Sequence, residues 1–245
     1  MPKSPEELLA MRFGGVTVAE NLERAVEAGD LIEDTDGGLR LPGPRRTNAN
    51  WARVNKGLTL ECEFLIRFLF PNVYAKSAVP MGCSACYKVK VVPRTLRELV
   101  AAWGVGKGIE CRSKWGVDLD NPYSQNVYAG YFYVAGLESA RAIYRVVREI
   151  LDRHPSLGPE VGMSIKRGCS EYEAALGPSD RYTFAPELAE LEAFLKTRYR
   201  TSKSNELPPA PMAHWIDTAF RIGDETYLDF TQGKRLRPKT VAYEP

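Results

Sequence analysis

Two cysteines separated by two residues, Cys83 and Cys86 in GCSACYKVKV, are the first residues whose spacing suggests a definite chemistry. A two-residue spacer lets both sulfurs converge on one ion while backbone N–H groups point at them, and Gly82 suits the tight knuckle this needs. One such pair is half of a tetrahedral site. The other half has to come from isolated thiols: Cys111, in GIEC, and Cys169, in RGC, each with a glycine close before it. On this reading Cys83, Cys86, Cys111 and Cys169 bind zinc, and the site is structural because four thiolates leave no position for water or substrate. The same four cysteines would equally ligate a [4Fe–4S] cluster, the alternative cofactor. Lys107, Arg112, Lys114, Lys166 and Arg167 lie beside these thiols in sequence and would stabilise thiolates. Cys62, inside the apolar run LTLECEFLIRFLF, reads as a small buried hydrophobe. His154 and His214 have no partner at ligand spacing.

Familiar catalytic constellations are missing from the sequence. It contains no GxSxG, HExxH, P-loop or GxGxxG, and GVGKG at 104–108 has neither the spacing nor the Lys-Ser/Thr ending of a phosphate loop. Glu171 and Glu173, beside Cys169, fit the first turn of a helix, where Glu is favoured. A hydrolase of familiar type is disfavoured. The enzyme class that survives is a redox or sulfur-handling one in which an iron–sulfur cluster does the chemistry.

A second constellation is basic. Net charge is only +2, but Lys and Arg collect in RRTNANWARVNKG, KGIECRSK, IKRG, KTRYRTSK and GKRLRPK. Segregated charge with embedded aromatics suits one phosphate-facing surface. The expected phosphate contacts are Arg45, Arg46, Arg53, Lys56, Arg112, Lys114, Lys166 and Arg167, with Trp51 and Trp115 as stacking residues.

These residues must be carried by an α+β fold. Val18, Leu22 and Val26 form a helix stripe, with Thr17 as N-cap and Gly29 as stop, and LIEDTDGGLRLPG reads as a tight hairpin. A helix feeding a hairpin gives residues 1–43 a winged-helix-like layout. Residues 44–120 hold a basic linker, the apolar helix at 58–70 and the metal-binding lobe. Residues 121–200 hold a strand at 126–136, a helix at 138–151 bearing Ala142, Ile143, Val146, Val147 and Ile150, a strand at 161–168, and a helix at 186–200. Strand, helix and strand make a βαβ crossover. Residues 201–245 read as a Pro-rich connector and a C-terminal hairpin.

The run YAGYFYVAGLESARAIYRVV resembles, in outline, the third strand and second helix of an RNA-recognition motif. Tyr131, Phe132 and Tyr133 supply strand aromatics, and Ala140 and Ala142 small helix positions. No basic residue opens the motif and the matching upstream strand is not evident, so the resemblance implies a ferredoxin-like βαβ half and not membership of that family.

No apolar run approaches the length of about 20 residues that a membrane helix needs. The amino terminus lacks the layout of a secretory signal, and five cysteines do not make a secreted disulfide framework, so a cytoplasmic protein is expected. The functional expectation is a nucleic-acid-binding metalloprotein, RNA or DNA, working as a non-catalytic subunit with protein partners. A zinc-stabilised interaction scaffold is a further alternative.

Overall fold

Local capping explains where the first elements start. The computed structural model describes residues 2–42, 51–56, 61–119, 126–201 and 211–237. Helix α1 (Pro5–Leu9) and a minimal hairpin, β1 (Arg12–Phe13) and β2 (Val16–Thr17), lead into α2 (Val18–Glu27). Thr17 closes a capping box: its hydroxyl accepts from the Glu20 amide at 3.2 Å, and the Glu20 carboxylate accepts from the Thr17 amide at 2.7 Å. The expected hairpin follows as β3 (Ile32–Glu33) and β4 (Leu39–Arg40). It is not a free wing. The Arg200 amide donates to the Leu39 carbonyl at 2.7 Å, so the end of a much later helix holds the hairpin against the body.

Strand β5 (Trp51–Val54) precedes a π-helix at Glu63–Leu69 that runs into the short α3 (Phe70–Asn72). Then come β6 (Cys86–Val92), α4 (Leu96–Gly108), β7 (Ser113–Val117), β8 (Tyr128–Ala135), α5 (Leu137–Arg153), β9 (Gly162–Arg167), α6 (Ser170–Leu176), α7 (Glu187–Arg198) and α8 (Pro211–Ile222). The larger strands form one five-stranded antiparallel sheet in the order β5-β7-β8-β6-β9. Because β6 lies between β8 and β9 and is antiparallel to both, β8–α5–β9 is a split βαβ crossover.

Two sequence expectations are corrected here. The C-terminal segment is not a hairpin: residues 211–222 form α8, followed by a 3-10 turn at Glu225–Phe230. Met212, Trp215, Ile216, Ala219 and Phe220 recur at three- and four-residue intervals, and Trp215 and Ala219 are fully buried by that helical stripe. Helix α5 is rotated from its expected setting. It buries Ala140, Val147 and Leu151, and leaves Val146 and Ile150 48% and 39% exposed.

Helix α4 carries Gly104, Gly106 and Gly108, a residue type that ordinarily disfavours a helix interior. Gly106 is there for space: a Cβ on it would stand 2.5 Å from Trp115 Nε1. From the sheet side, a Cβ on Gly130 would stand 2.1 Å from Trp115 Cζ3. The Trp115 indole therefore lies between a helix glycine and a strand glycine, and its N–H donates to Ser113 Oγ at 2.9 Å.

Buried apolar residues fall into two clusters. One, containing Val18, Leu39, Phe68, Leu69, Val73, Tyr172, Leu191 and Leu195, joins the amino-terminal elements to the π-helix, α6 and α7. The other, containing Val89, Val91, Leu99, Trp115, Phe132, Val147 and Trp215, packs α4, α5 and α8 on one sheet face. The opposite face looks toward the first cluster. Among the described residues no helix is long and apolar enough to cross a membrane.

Candidate functional site

The period-2 pleat decides which residues meet on that second face. Val89 and Val91 of β6 enter the core, so Lys88 and Lys90 between and beside them point the other way. Registration then aligns their neighbours, because directly paired residues share a face. Arg53 pairs with Lys114, Lys114 with Tyr131, Tyr131 with Lys90, Tyr133 with Lys88, and Lys88 with Lys166. Cationic and tyrosyl side chains thus form one tract across all five strands.

The first lobe roofs part of this tract and leaves a cavity of about 180 Å³, far more than a single water needs. Arg53, Lys88, Arg112, Lys114 and Lys166 line it, against the carboxylates of Asp118 and Glu171. Cys62 and Ile66 reach it from the start of the π-helix, and Cys169, Ser170 and Glu171 from the entry to α6. Among the described residues no carboxylate lies within ion-pair distance of Arg53, Lys88, Arg112 or Lys114. Lys166 differs: it pairs with Glu173 and donates to Ser170 Oγ at 2.9 Å.

Lys88 is 8% exposed. Its ammonium donates to Cys169 Sγ at 3.0 Å and stands 5.5 Å from the centre of the Tyr133 ring. Burial alone would depress its pKa, but Cys169, Tyr133 and Cys86 more than reverse this and hold it well above the ordinary lysine value. Lys114 lies 4.0 Å from the Trp51 ring centre and 5.1 Å from that of Tyr131. Burial first, then the nearby Lys88 charge, push its pKa down to about 8. Asp118 lies at the same wall as Tyr131 and, after burial, adds to the rise in that tyrosine's pKa.

The four cysteines expected to share one ion lie in two different places. Cys111 belongs to the second core, where its thiol donates to the carbonyls of Tyr133 at 3.4 Å and Arg112 at 3.6 Å. Cys83 and Cys86 belong to the first core, with Cys83 Sγ 3.2 Å from the Tyr172 hydroxyl, and half-buried Cys169 packs against that core. Burial, with neighbouring thiols adding to it, raises the pKa of Cys83 and takes that of Cys86 to about 11. Among the described residues no group of three or more His, Cys, Asp or Glu side chains is arranged to hold a metal ion. The knuckle at Cys83 has another cause: buried Glu192 accepts from the amides of Met81 at 2.5 Å and Gly82 at 2.9 Å, and from Tyr74 Oη at 2.9 Å.

The expected phosphate contacts divide. Arg53, Arg112, Lys114 and Lys166 meet at the cavity, and Trp51 flanks Lys114. Lys56 is engaged elsewhere, 2.6 Å from Glu110, and Arg167 packs on the rings of Tyr87 and Phe184 while donating to the Ser84 carbonyl. Trp115 is fully buried and cannot stack on a ligand. Arg45 and Arg46 lie outside the described residues. Sequence reasoning missed Lys88, Asp118 and Cys62. The alternation Lys-Val-Lys-Val in β6 was the available signal for Lys88, since one buried valine face puts both lysines on the other.

Comparison with protein-family models, curated proteins and solved structures found no match to this chain.

Proposed function

We propose that the protein binds a phosphate-bearing ligand of the nucleotide or nucleic-acid class, with the phosphate in the basic cavity and a base at the Trp51–Tyr131 rim. One observation carries this reading: Arg53, Lys88, Arg112 and Lys114 converge on a single cavity with no ion-paired carboxylate among the described residues. Gathering like charges is costly where they are buried or half-buried, as Lys88, Arg112 and Lys114 are, and a phosphate would offset their repulsion through several charge-assisted hydrogen bonds. Because the cavity is partly roofed, it suits a single nucleotide or a strand end better than the side of a duplex. The ferredoxin-like reading of the sheet is compatible with this, since the tract lies on the face free of α4 and α5. No metal enters the proposal.

The test is titration of the full chain with a fluorescent 5′-phosphorylated oligonucleotide and its 5′-hydroxyl counterpart at two salt concentrations, with inorganic phosphate as competitor. The phosphorylated strand is expected to bind more tightly, to weaken steeply with salt, and to be displaced by phosphate. Equal affinity for both strands, or salt-independent binding, overturns the reading.

A further inference from the structure

Cys169 is half-buried, lines the cavity, and has its sulfur 3.0 Å from the Nζ of Lys88. We infer that Cys169 is a nucleophile, its sulfur paired with the buried Lys88 ammonium and reacting as the thiolate, for substitution on a small anionic substrate admitted by the basic cavity.

Two independent features support the inference. First, among the described residues Lys88 is an almost fully buried cation with no carboxylate partner and with this sulfur as its one hydrogen-bond acceptor. A buried ammonium requires a counter-charge, and an adjacent cation is the ordinary way a protein turns a thiol into a nucleophile. Second, the cysteine opens onto a chamber, where Arg53, Arg112 and Lys114 would concentrate an anionic reactant beside it. The other cysteines lack this combination. Cys83, Cys86 and Cys111 are buried; Cys62 is half-buried in the same cavity but, among the described residues, has no lysine at hydrogen-bond distance. The raised pKa of Lys88 agrees with a persistent cation at this position.

In the step itself the Cys169 sulfur gives an electron pair to an electrophilic carbon or sulfur. A bond from Sγ forms as the bond to the leaving group breaks, and that group departs with its electron pair into the cationic cavity. No oxidant or reductant is consumed. The inference shares the cavity with the proposed ligand class but does not depend on that ligand carrying phosphate.

The experiment is timed alkylation of the native full chain with iodoacetate and, separately, iodoacetamide, with the modified cysteine located by peptide mass mapping. Each reagent forms an S–C bond and releases iodide. Ordinary thiols prefer the neutral reagent. Cys169 is expected to label before Cys62 and to prefer the anionic reagent about tenfold or more, because the cavity concentrates anions. Lys88→Met, with its fold checked by circular dichroism, is expected to slow labelling of Cys169 at least about tenfold and to abolish the preference. Should that variant not fold, the reagent preference of the unaltered chain decides alone. Labelling of Cys62 or Cys111 before Cys169, a preference for iodoacetamide at Cys169, or wild-type labelling of a folded Lys88→Met protein would overturn the inference. Fast, anion-selective labelling together with failed phosphate binding would remove the ligand reading and leave the nucleophile standing.

Discussion

At the residue scale, Lys114 is the side chain whose charge most directly tunes the cavity. It faces Trp51 and Arg53 on β5, Tyr131 on β8, Lys88 on β6, Asp118 at the end of β7, and Cys169 at the entry to α6. Its pKa of about 8 lies below the ordinary 10.5, so at pH 7 it is charged and one of the cations available to an anion. Above pH 8 that cation is lost. Affinity for inorganic phosphate, followed by calorimetry, is expected to fall roughly tenfold between pH 7 and pH 9, and Lys114→Met should flatten the drop. The same shift has a stability consequence with a definite sign. Between about pH 8 and 10.5 the unfolded chain still holds the proton that the folded chain has released. The unfolded state binds more protons there, so Lys114's contribution to stability rises with pH across that window. Urea unfolding of wild type and Lys114→Met at pH 7 and pH 10 should show the variant's advantage shrinking at the higher pH.

At the scale of elements, close packing rather than propensity sets the geometry of the tract. The fully buried Trp115 ring leaves no room for a methyl group at Gly130, 2.1 Å from it. Gly130→Ala is therefore expected to cost about 1–3 kcal/mol or more by overpacking, read as a lower urea midpoint. It should also weaken phosphate binding, because β8 carries Tyr131 and Tyr133 on its other face. The turn bearing Cys83 depends on a polar contact instead. Glu192→Gln puts an amide N–H₂ where a carboxylate oxygen accepts, leaving a buried donor unmatched at a cost of about 1–3 kcal/mol. The same contrast explains what the sequence discloses. Strands β6, β8 and β9 and helices α2, α5 and α7 are legible as elements from runs of strand- or helix-forming residues bounded by turns, although the stripe read on α5 is not the face it buries. Helix α4 is hidden because its glycines answer to Trp115, a residue distant in the chain and unseen by local pattern. Helix α8 is mistaken for strands because HWIDTAF is rich in aromatic and β-branched residues, while its burial pattern follows a 3.6-residue period. Cys111 has the same glycine context as the other isolated cysteine, and only the fold shows that its thiol turns to backbone carbonyls.

Across the whole molecule, the cavity is the place where two separately built cores meet. Cys62, Ile66, Cys169, Ser170 and Glu171 come from the side of the first core, and Arg53, Lys88, Arg112, Lys114 and Tyr131 from the sheet. A ligand held there touches both and binds only the assembled fold. Saturating phosphate at about 100 times its Kd should add about 2.7 kcal/mol to stability and raise the midpoint of thermal unfolding. The basic surface read from sequence thus survives in a narrower form: four of its residues converge on one cavity, and the others serve packing, ion pairs elsewhere, or lie outside the described residues. The most direct measurement of the central claim is the affinity ratio between a 5′-phosphorylated and a 5′-hydroxyl oligonucleotide, for wild type and for a combined Arg112→Met, Lys114→Met variant of verified fold. Wild type is expected to favour the phosphorylated strand at least about tenfold, as two or more charge-assisted contacts require, and the variant to lose that preference. A ratio near one in the wild type, or an unchanged ratio in the folded variant, would contradict it.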